Sequence, residues 1–531
     1  MTTDTGTAHT TEQRVRRPHA WIWAAVSGIV SAAVLLAVAE LLATLFARSA
    51  SPILAVGSFI VDIVPRPLKE LAITLFGETD KIALLVGVGL GAVVAAAVAG
   101  ALEYRFRPTG AVLLGIGGAL ATAAILTRTG VGALAFLPPV IGTAAGVVVL
   151  MVLMARLRRW VASATADPVE AERAGLDRRG FFVLSGIVAA SAVVVGVGAR
   201  IVNAATASVA AARDALRLPS PRRTVTVPAG ASLDVPGLTP IITPNADFYR
   251  VDTALTVPNV DPTTWRLVIE GMVDQRVELS FDDLIGMGLD EYGVTLTCVS
   301  NEIGGDLLGN AIWTGVPIRD VLRMAGPQSG ADMVLSESVD GFTASTPLSS
   351  VTDDNLDAIF AVAMNGEPLP FEHGFPVRMV VPGLYGYVSA TKWVTKLTVT
   401  TFEKDQAYWT PRGYAAKAPI KMSSRVDTPK IGTAVSAGRV PIAGMAWAQP
   451  IGVKAVEVRI DDSEWQQATL STPINDQSWV QWVLEWDAQP GSHYITVRAI
   501  DNAGNVQIQD PAPIAPDGSS GWQRTLVTVS G

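Results

Sequence analysis

Long uncharged stretches before residue 205 constrain this chain more than any other feature. Trp21–Phe46 (WIWAAVSGIVSAAVLLAVAELLATLF) carries one acid, Glu40, and about 20 apolar residues suffice for a helix to cross a bilayer. Ile82–Leu102, Gly110–Leu126, Leu137–Met154 and Phe181–Val202 share that character. In hydrocarbon every backbone N–H and C=O must find its partner within the segment. A helical bundle of about five spans over residues 21–203, after a tail over 1–20, is the predicted outcome. Gly and Ala crowd the middle three spans, and small residues let such helices approach closely. Ser51–Leu75 is broken by Pro65 and Pro67 and reads as interfacial or re-entrant.

Basic residues near helix ends set the orientation. Arg14, Arg16 and Arg17 precede the first span, Arg105 and Arg107 follow the second, and Arg156, Arg158, Arg159, Arg173, Arg178 and Arg179 follow the fourth. With five spans these groups share one side, opposed by sparser cations at Arg48, Arg66, Lys69, Lys81 and Arg128. That places the N-terminus in the cytoplasm and everything after Val202 outside, on a multi-pass protein of the cell membrane. "LDRRGFFVLSGIVAASAVVVGVGA", from Leu176, resembles a twin-arginine export signal, with Asp177 where Ser or Thr is usual; the plain reading is a positive-inside anchor. The four histidines, His9, His19, His373 and His493, all lie outside the predicted spans, so a bis-histidine haem in the bundle is excluded and no haem is expected. Glu40 lies near a helix end, within reach of the interface. A transporter reading rests on the bundle alone.

The remainder reads as an ordinary globular protein. Residues 204–236, rich in Ala, Ser and Pro, read as a linker. From Thr239 short strand-like runs ("WRLVIEGMV", "GVTLTCV", "PVRMVVPG", "KLTVTTF") alternate with turn signals. Helices fit "SFDDLIGM" with Ser280 as N-cap, "PIRDVLRMAG" ending near Gly326, and "SSVTDDNLDAIFAVAM". Residues 237–414 are therefore predicted to form an α+β domain. Over 415–531 the pattern changes. Val456, Val458 and Ile460 alternate, as do Val480, Trp482, Leu484 and Trp486, then Ile495, Val497 and Ala499, between turn clusters "AQPGS" and "DNAGN". This predicts an immunoglobulin-like β-sandwich without a disulfide. A net charge of −8 gives no reason to expect a nucleic-acid partner.

Cys298, in "TLTCVSNEIGGDLLGNAIWTG", is the sole cysteine of 531 residues. One thiol cannot close an internal disulfide or build a zinc or iron–sulfur site alone. It is a small buried hydrophobe, a nucleophile served by His373 or His493, or one ligand to a metal mostly held by a cofactor. Val294, Leu296 and Cys298 share one face of a strand at period two.

The flanking residues resemble the sulfite oxidase family of molybdenum enzymes. "CVSN…LLGNAIWTGVPIRDVL" is similar to that family's Cys-x-x-Asn and Gly-Asn-Ala-x-Trp-x-Gly-Val blocks. "MNGEPLPFEHGFPVRMVVPG" looks like its cofactor-contacting His and Arg segment, "TPNADFYR" like its leading motif, and "WTPRGYAAKAPIKMSSRVDTP" like the join to its β-sandwich dimerisation domain. The resemblance covers about 240–531. It implies a molybdenum–molybdopterin cofactor, with Cys298 as the metal ligand. It further implies cofactor contacts at Phe248, Tyr249, Arg250, Val251, Asp252, Asn301, Asp340, His373, Arg378, Ala390, Thr391 and Lys392. Arg250 and Tyr414 take the positions of the family's catalytic arginine and tyrosine. A thiolate suits such a metal while leaving a face open, and guanidinium matches the pterin's phosphate.

The implied protein is a membrane-anchored oxidoreductase that transfers an oxygen atom with a small sulfur- or nitrogen-containing substrate. A separate electron carrier, quinone or cytochrome, would complete turnover. A homodimer through the C-terminal domain is also implied. Departures from the family pattern bear on the substrate. Glu302 stands where the family has arginine, "FYRVD" lacks its Asn-His, and "PGLYGYVSATKW" is one residue longer than its spacing. A carboxylate at 302 would disfavour sulfite and favour a neutral substrate. The alternatives are a sulfoxide or N-oxide reductase running the other way and a non-catalytic, membrane-displayed binding module.

Overall fold

Apolar helices and a β-rich remainder separate into two compact units, residues 1–205 and 206–531, in the computed structural model of the chain. It describes residues 19–46, 52–64, 75, 80–126, 134–163, a few isolated positions between 179 and 190, and 205–531.

The first unit holds α1 (Ala20–Phe46), α2 (Pro52–Ile63), α3 (Asp80–Arg105), α4 (Thr109–Leu126) and α5 (Leu137–Ser163). All but α2 are long and apolar enough to cross a membrane, and they contain the first four predicted spans. Most of the fifth predicted span and nearly all of the twin-arginine-like motif lie outside the described residues. The stretch from Ser51 read as broken begins with α2, which stops before Pro65.

Small residues set the helix spacing. A Cβ on Gly28 of α1 would collide with the Ala96 carbonyl oxygen of α3, and one on Gly100 with that of Ala24. Two carboxylates satisfy helix starts, where backbone N–H groups lack partners. Glu40, read as reaching for the interface, accepts from the Ile53 N–H at 3.1 Å in the first turn of α2. Buried Glu103 accepts from Gly110 and Ala111 N–H at 3.0 and 3.1 Å, at the start of α4.

The second unit opens with α6 (Ala205–Ala215). The segment read as a linker is tied down there: Arg213 donates to the Leu369 and Pro368 carbonyls, both at 2.8 Å. Arg222 pairs with Asp290 at 2.8 Å, and the Leu233 N–H reaches Gln481 Oε1 at 2.6 Å.

Two five-stranded sheets follow. One runs β2 (Val277–Ser280), β1 (Arg266–Gly271), β10 (Val394–Thr400), β5 (Met333–Ser338), β6 (Thr343–Pro347), with β1 and β10 parallel and the other pairs antiparallel. The other runs β3 (Asp290–Thr297), β4 (Leu308–Pro317), β7 (Ile359–Met364), β8 (Glu367–Pro368), with β9 (Arg378–Val380) also on β7. Helix α7 (Phe281–Gly286) has the expected Ser280 cap, closed into a capping box by Asp283; α8 (Ile318–Ala325) ends at Gly326, whose φ of 68° is left-handed.

One expected helix is corrected. "SSVTDDNLDAIFAVAM" is helical only at α9 (Leu348–Thr352), and its end, IFAVAM, is strand β7. All six residues of β7 are buried, between β4 on one edge and β8 and β9 on the other. A continuous apolar run of that length cannot be told from a buried helix by periodicity, and the two-sided burial decides for strand.

Residues 415–531 form two further sheets. The first runs β11 (Ser423–Thr428), β13 (Gly438–Trp447), β17 (Val480–Ala488), β16 (Thr469–Leu470). The second runs β12 (Ala434–Ser436), β19 (Gln523–Ser530), β18 (Gly491–Asp501), β14 (Val453–Ile460), β15 (Gln466–Gln467). Ile442, Val480, Trp482 and Trp486 from the first share one core with Val456, Val458, Ile495, Val497 and Val527 from the second. The alternating residues named from the sequence thus face inward, with Leu484 at the border.

Candidate active site

β3 delivers Cys298. Thr297 pairs with Leu308, so residues 298–307 are the connection between two antiparallel strands. The connection closes on itself. Cys298 N–H donates to the Leu307 carbonyl at 2.9 Å, Asn301 N–H to the Cys298 carbonyl at 3.1 Å, and Leu307 N–H to Asn301 Oδ1 at 2.9 Å. Asn301 therefore shapes the loop and does not line the cleft. The Cys298 thiol is 8 % exposed. Burial pushes its pKa up, opposed by the Ser300 N–H, which donates to Sγ at 3.4 Å.

Sγ faces a cleft of about 920 Å³, counted to its open mouth. The structure gathers most of the residues singled out in the sequence around it: Phe248, Tyr249, Val251, Asp252, Asp340, His373, Arg378, Ala390, Lys392 and Tyr414. Three do not line it. Asn301 is in the loop, buried Thr391 bonds Ser336 Oγ at 2.7 Å, and Arg250 is turned to Asp252, donating to its Oδ2 at 2.9 Å.

Glu302 is corrected as well. It is exposed and off the cleft wall, because the bonds that turn Asn301 inward turn its neighbour out. Sequence reading missed Ser338, Phe342, Tyr387 and Trp393 in the wall. The signal for Ser338 and Phe342 was the turn "SVDGF" after a strand, in which Asp340 alone was singled out.

One part of the wall is cationic. Arg378 opens β9 and is 5 % exposed. Its guanidinium donates only to carbonyls, those of Met379 and His373 at 3.3 Å and of Ala390 at 3.5 Å, and stands 5.0 Å from the Trp313 ring. Among the described residues no carboxylate pairs with it, and burial lowers its pKa to about 10. Lys392 is held by Asp252 at 2.7 Å and the Glu372 carbonyl at 2.9 Å; burial, partly offset by Asp252, takes its pKa down to about 8. His373 stands edge-on to Phe248 and near the Asn245 carbonyl at 3.3 Å. Burial, with Arg378 and Lys392 adding, lowers its pKa to about 4, so it is neutral. The Tyr249 hydroxyl is pushed far above the usual phenol range, by burial first and then by Cys298.

A buried guanidinium without an anion is costly unless one arrives. The Ser338 hydroxyl, 3 % exposed and on the same wall, also has no partner among the described residues. These groups fit an anionic, polar organic cofactor that brings a soft metal to the thiol. The metal would take its other ligands from that cofactor, since no set of three His, Cys, Asp or Glu side chains gathers to hold a metal among the described residues.

A cleft with a buried thiol and a buried cation suits an oxidoreductase domain that works through an organic cofactor. Residues 254–409 match the oxidoreductase molybdopterin-binding domain family. Human mitochondrial sulfite oxidase is 32 % identical over 343 residues, covering 54 % of this chain and 62 % of that protein. Nitrate reductase [NADH] 1 of Oryza sativa subsp. japonica is 34 % identical over 193 residues, 32 % of this chain and 21 % of that protein. Among solved structures, the sulfane dehydrogenase SoxCD from Paracoccus pantotrophus aligns with TM-score 0.48 and 23 % identity, over 55 % of this chain and 84 % of that one. The chain spans 62 % of the human relative's length. Its matched region is similar to the molybdopterin-binding oxidoreductase domain found in sulfite oxidases.

Proposed function

We propose that the chain is a membrane-anchored molybdenum-cofactor enzyme that exchanges an oxygen atom with a small sulfur- or nitrogen-containing substrate. Its catalytic unit would sit on the extracytoplasmic side. The observation carrying the reading is the sole thiol and a buried guanidinium without a carboxylate sharing one cleft. When bound, the cofactor supplies the two-electron redox chemistry and the exchangeable oxygen.

The chain's own residues do the rest. Cys298 would ligate the metal. Arg378 would hold the phosphate in bidentate fashion, with neutral His373 and Lys392 beside the ring system and Phe248 and Tyr249 packing against it. Tyr414 offers a hydroxyl to a substrate oxygen. Arg250 orients Asp252, which holds Lys392. Electrons would pass to or from a separate carrier, a quinone or cytochrome, and an immunoglobulin-like C-terminal sandwich would serve a homodimer.

A second direction, reduction of a sulfoxide or N-oxide, is favoured by one observation. Apart from Arg378 and Lys392, the cleft wall carries no cation among the described residues, and this suits an uncharged substrate better than an oxyanion.

The test is metal and pterin content of protein from a cofactor-making host. About one molybdenum per chain is expected; Arg378→Ala should lose pterin and metal together, and Cys298→Ser should keep the pterin while losing the sulfur-to-metal absorbance. Protein without molybdenum, or replete protein whose thiol alkylates freely, overturns the reading.

A further inference from the structure

The segment "PGLYGYVSATKW", one residue longer than the resembled family's spacing, reaches the cleft as a tight turn. Gly386–Val388 is a single turn of 3-10 helix, closed by Val388 N–H to the Tyr385 carbonyl at 3.1 Å and Ala390 N–H to the Gly386 carbonyl at 2.9 Å. It runs beside the thiol loop: a Cβ on Gly386 would stand 3.8 Å from the Thr297 carbonyl oxygen and 3.9 Å from the Tyr249 hydroxyl. The next residue, Tyr387, is in the cleft wall.

Two bonds fix the Tyr387 ring. Its hydroxyl donates to the Ala415 carbonyl at 2.7 Å, and the Ala415 N–H donates to the Pro516 carbonyl at 2.9 Å. The hydroxyl proton is thereby spent, so Tyr387 offers the cleft its ring and not a donor. That ring stands edge to face with Tyr414, centroids 5.5 Å apart, and Tyr414 stands likewise with Trp409 at 5.2 Å. All three line the cleft together with Val251. Arg378, Lys392 and the turn that carries Ser338 and Asp340 belong to the cofactor reading, and Tyr414 belongs to the substrate. Tyr387 and Trp409 have no part in either.

Rings held in place before a ligand arrives lose little further freedom when one binds. An aromatic ligand gains from offset or edge-to-face contact with them, whereas their electronegative faces repel an anion. We propose that Tyr387 sets the choice of substrate, its ring forming with Tyr414 and Trp409 a slot for the aromatic group of an uncharged aryl sulfide or sulfoxide. An inorganic oxyanion has nothing to place in that slot. The inference rests on reading the cleft as the reacting site and names the class of molecule that enters it.

The experiment is a ligand-observed NMR titration of the full chain, purified in detergent from a cofactor-making host, with methyl phenyl sulfoxide, dimethyl sulfoxide and sodium sulfate, against a micelle blank. Saturable binding of the aryl sulfoxide is expected, about tenfold or more tighter than dimethyl sulfoxide, with no competition from sulfate. Tyr387→Ala should cut that preference to about twofold. Tyr387→Phe, which keeps the ring and drops the bond to Ala415, should retain most of it. Dimethyl sulfoxide affinity should stay unchanged in both variants, an outcome that a general loosening of the cleft would not give. Equal wild-type affinities for the two sulfoxides overturn the inference without any variant. So does an aryl preference untouched by Tyr387→Ala, or one abolished equally by Tyr387→Phe. Molybdenum measured on the same samples separates the two readings. Metal present without an aryl preference sinks this inference alone, and a Tyr387-dependent aryl preference without metal sinks the enzyme reading alone.

Discussion

Arg425 should govern how firmly the Cys298 loop is held. Its guanidinium sits in the sandwich yet donates to the Gly305 carbonyl at 2.8 Å, to Thr239 Oγ1 at 2.9 Å and to Asp427 at 2.6 Å. Both charged side chains are 8 % exposed. Arg425→Met removes one partner of a buried pair and leaves Asp427 with only the Thr239 N–H, at 3.1 Å. Orphaning a buried charge costs about 3–5 kcal/mol; the retained bond argues for the low end, about 3. At roughly 2 °C per kcal/mol for a large domain, the melting temperature should fall by about 6 °C. Arg425→Met with Asp427→Leu should recover most of that loss, because the orphan charge goes too. The loop has its own readout, since Cys298 is the sole cysteine and any alkylation of the chain reports on it. Losing a charged hydrogen bond of about 1.5–3 kcal/mol predicts alkylation of cofactor-free protein at least about tenfold faster. A melting shift below 1 °C would refute the energetic reasoning. A normal shift with unchanged alkylation would show that the sandwich does not hold the loop.

Two further outcomes follow from the site. His373 has its pKa lowered to about 4 against about 6.5 unfolded, so it contributes stability fully present above about pH 6.5 and lost as pH falls toward 4. Cofactor-free wild type should lose up to about 3 kcal/mol more than His373→Gln between pH 7.5 and 4, read from urea midpoints; parallel curves would count against a neutral, buried imidazole. Glu302→Arg should leave the preference between sulfite and neutral substrates unchanged in an artificial-acceptor assay, because residue 302 is exposed and off the wall. A marked gain in sulfite turnover would put that side chain in the substrate path.

The sequence was most informative where local pattern and environment agree. The Ser280 cap, the Gly326 stop and the alternation over Val456–Ile460 all carry their structural reason within a few residues. Its resemblance to a known family found most of the cleft because those residues occur in short blocks. It failed where position depends on distant partners. β7 looked helical because nothing in IFAVAM reveals that β4, β8 and β9 flank it. Glu302 looked functional because it follows the Cys-x-x-Asn block where the resembled family has arginine, yet one residue of turn separates a wall side chain from a solvent one. Ser338 and Phe342 were passed over because a turn's residues gain meaning only from what it faces.

The same reasoning explains why the thiol loop draws on the whole second unit. The connection of ten residues between two paired strands closes on itself, but its own bonds do not anchor it to the rest of the unit, and it must hold a thiol steady at a cleft. The sandwich supplies that anchorage: Arg425 grips Gly305, Ser519 Oγ donates to the Asn301 carbonyl at 2.7 Å, and the Gln523 side chain lies against Gly304. Other sandwich residues hold the strand before it. Thr295 Oγ1 accepts from Trp479 N–H at 2.9 Å, and the Thr295 carbonyl accepts from Gln449 at 3.2 Å. The face of β3 turned away from the cleft is thereby covered, which is why both of its faces are buried although only one carries the apolar alternation that ends in Cys298. Removing the sandwich would therefore do more than abolish an interaction surface; it would expose Thr295 and free the loop at three points.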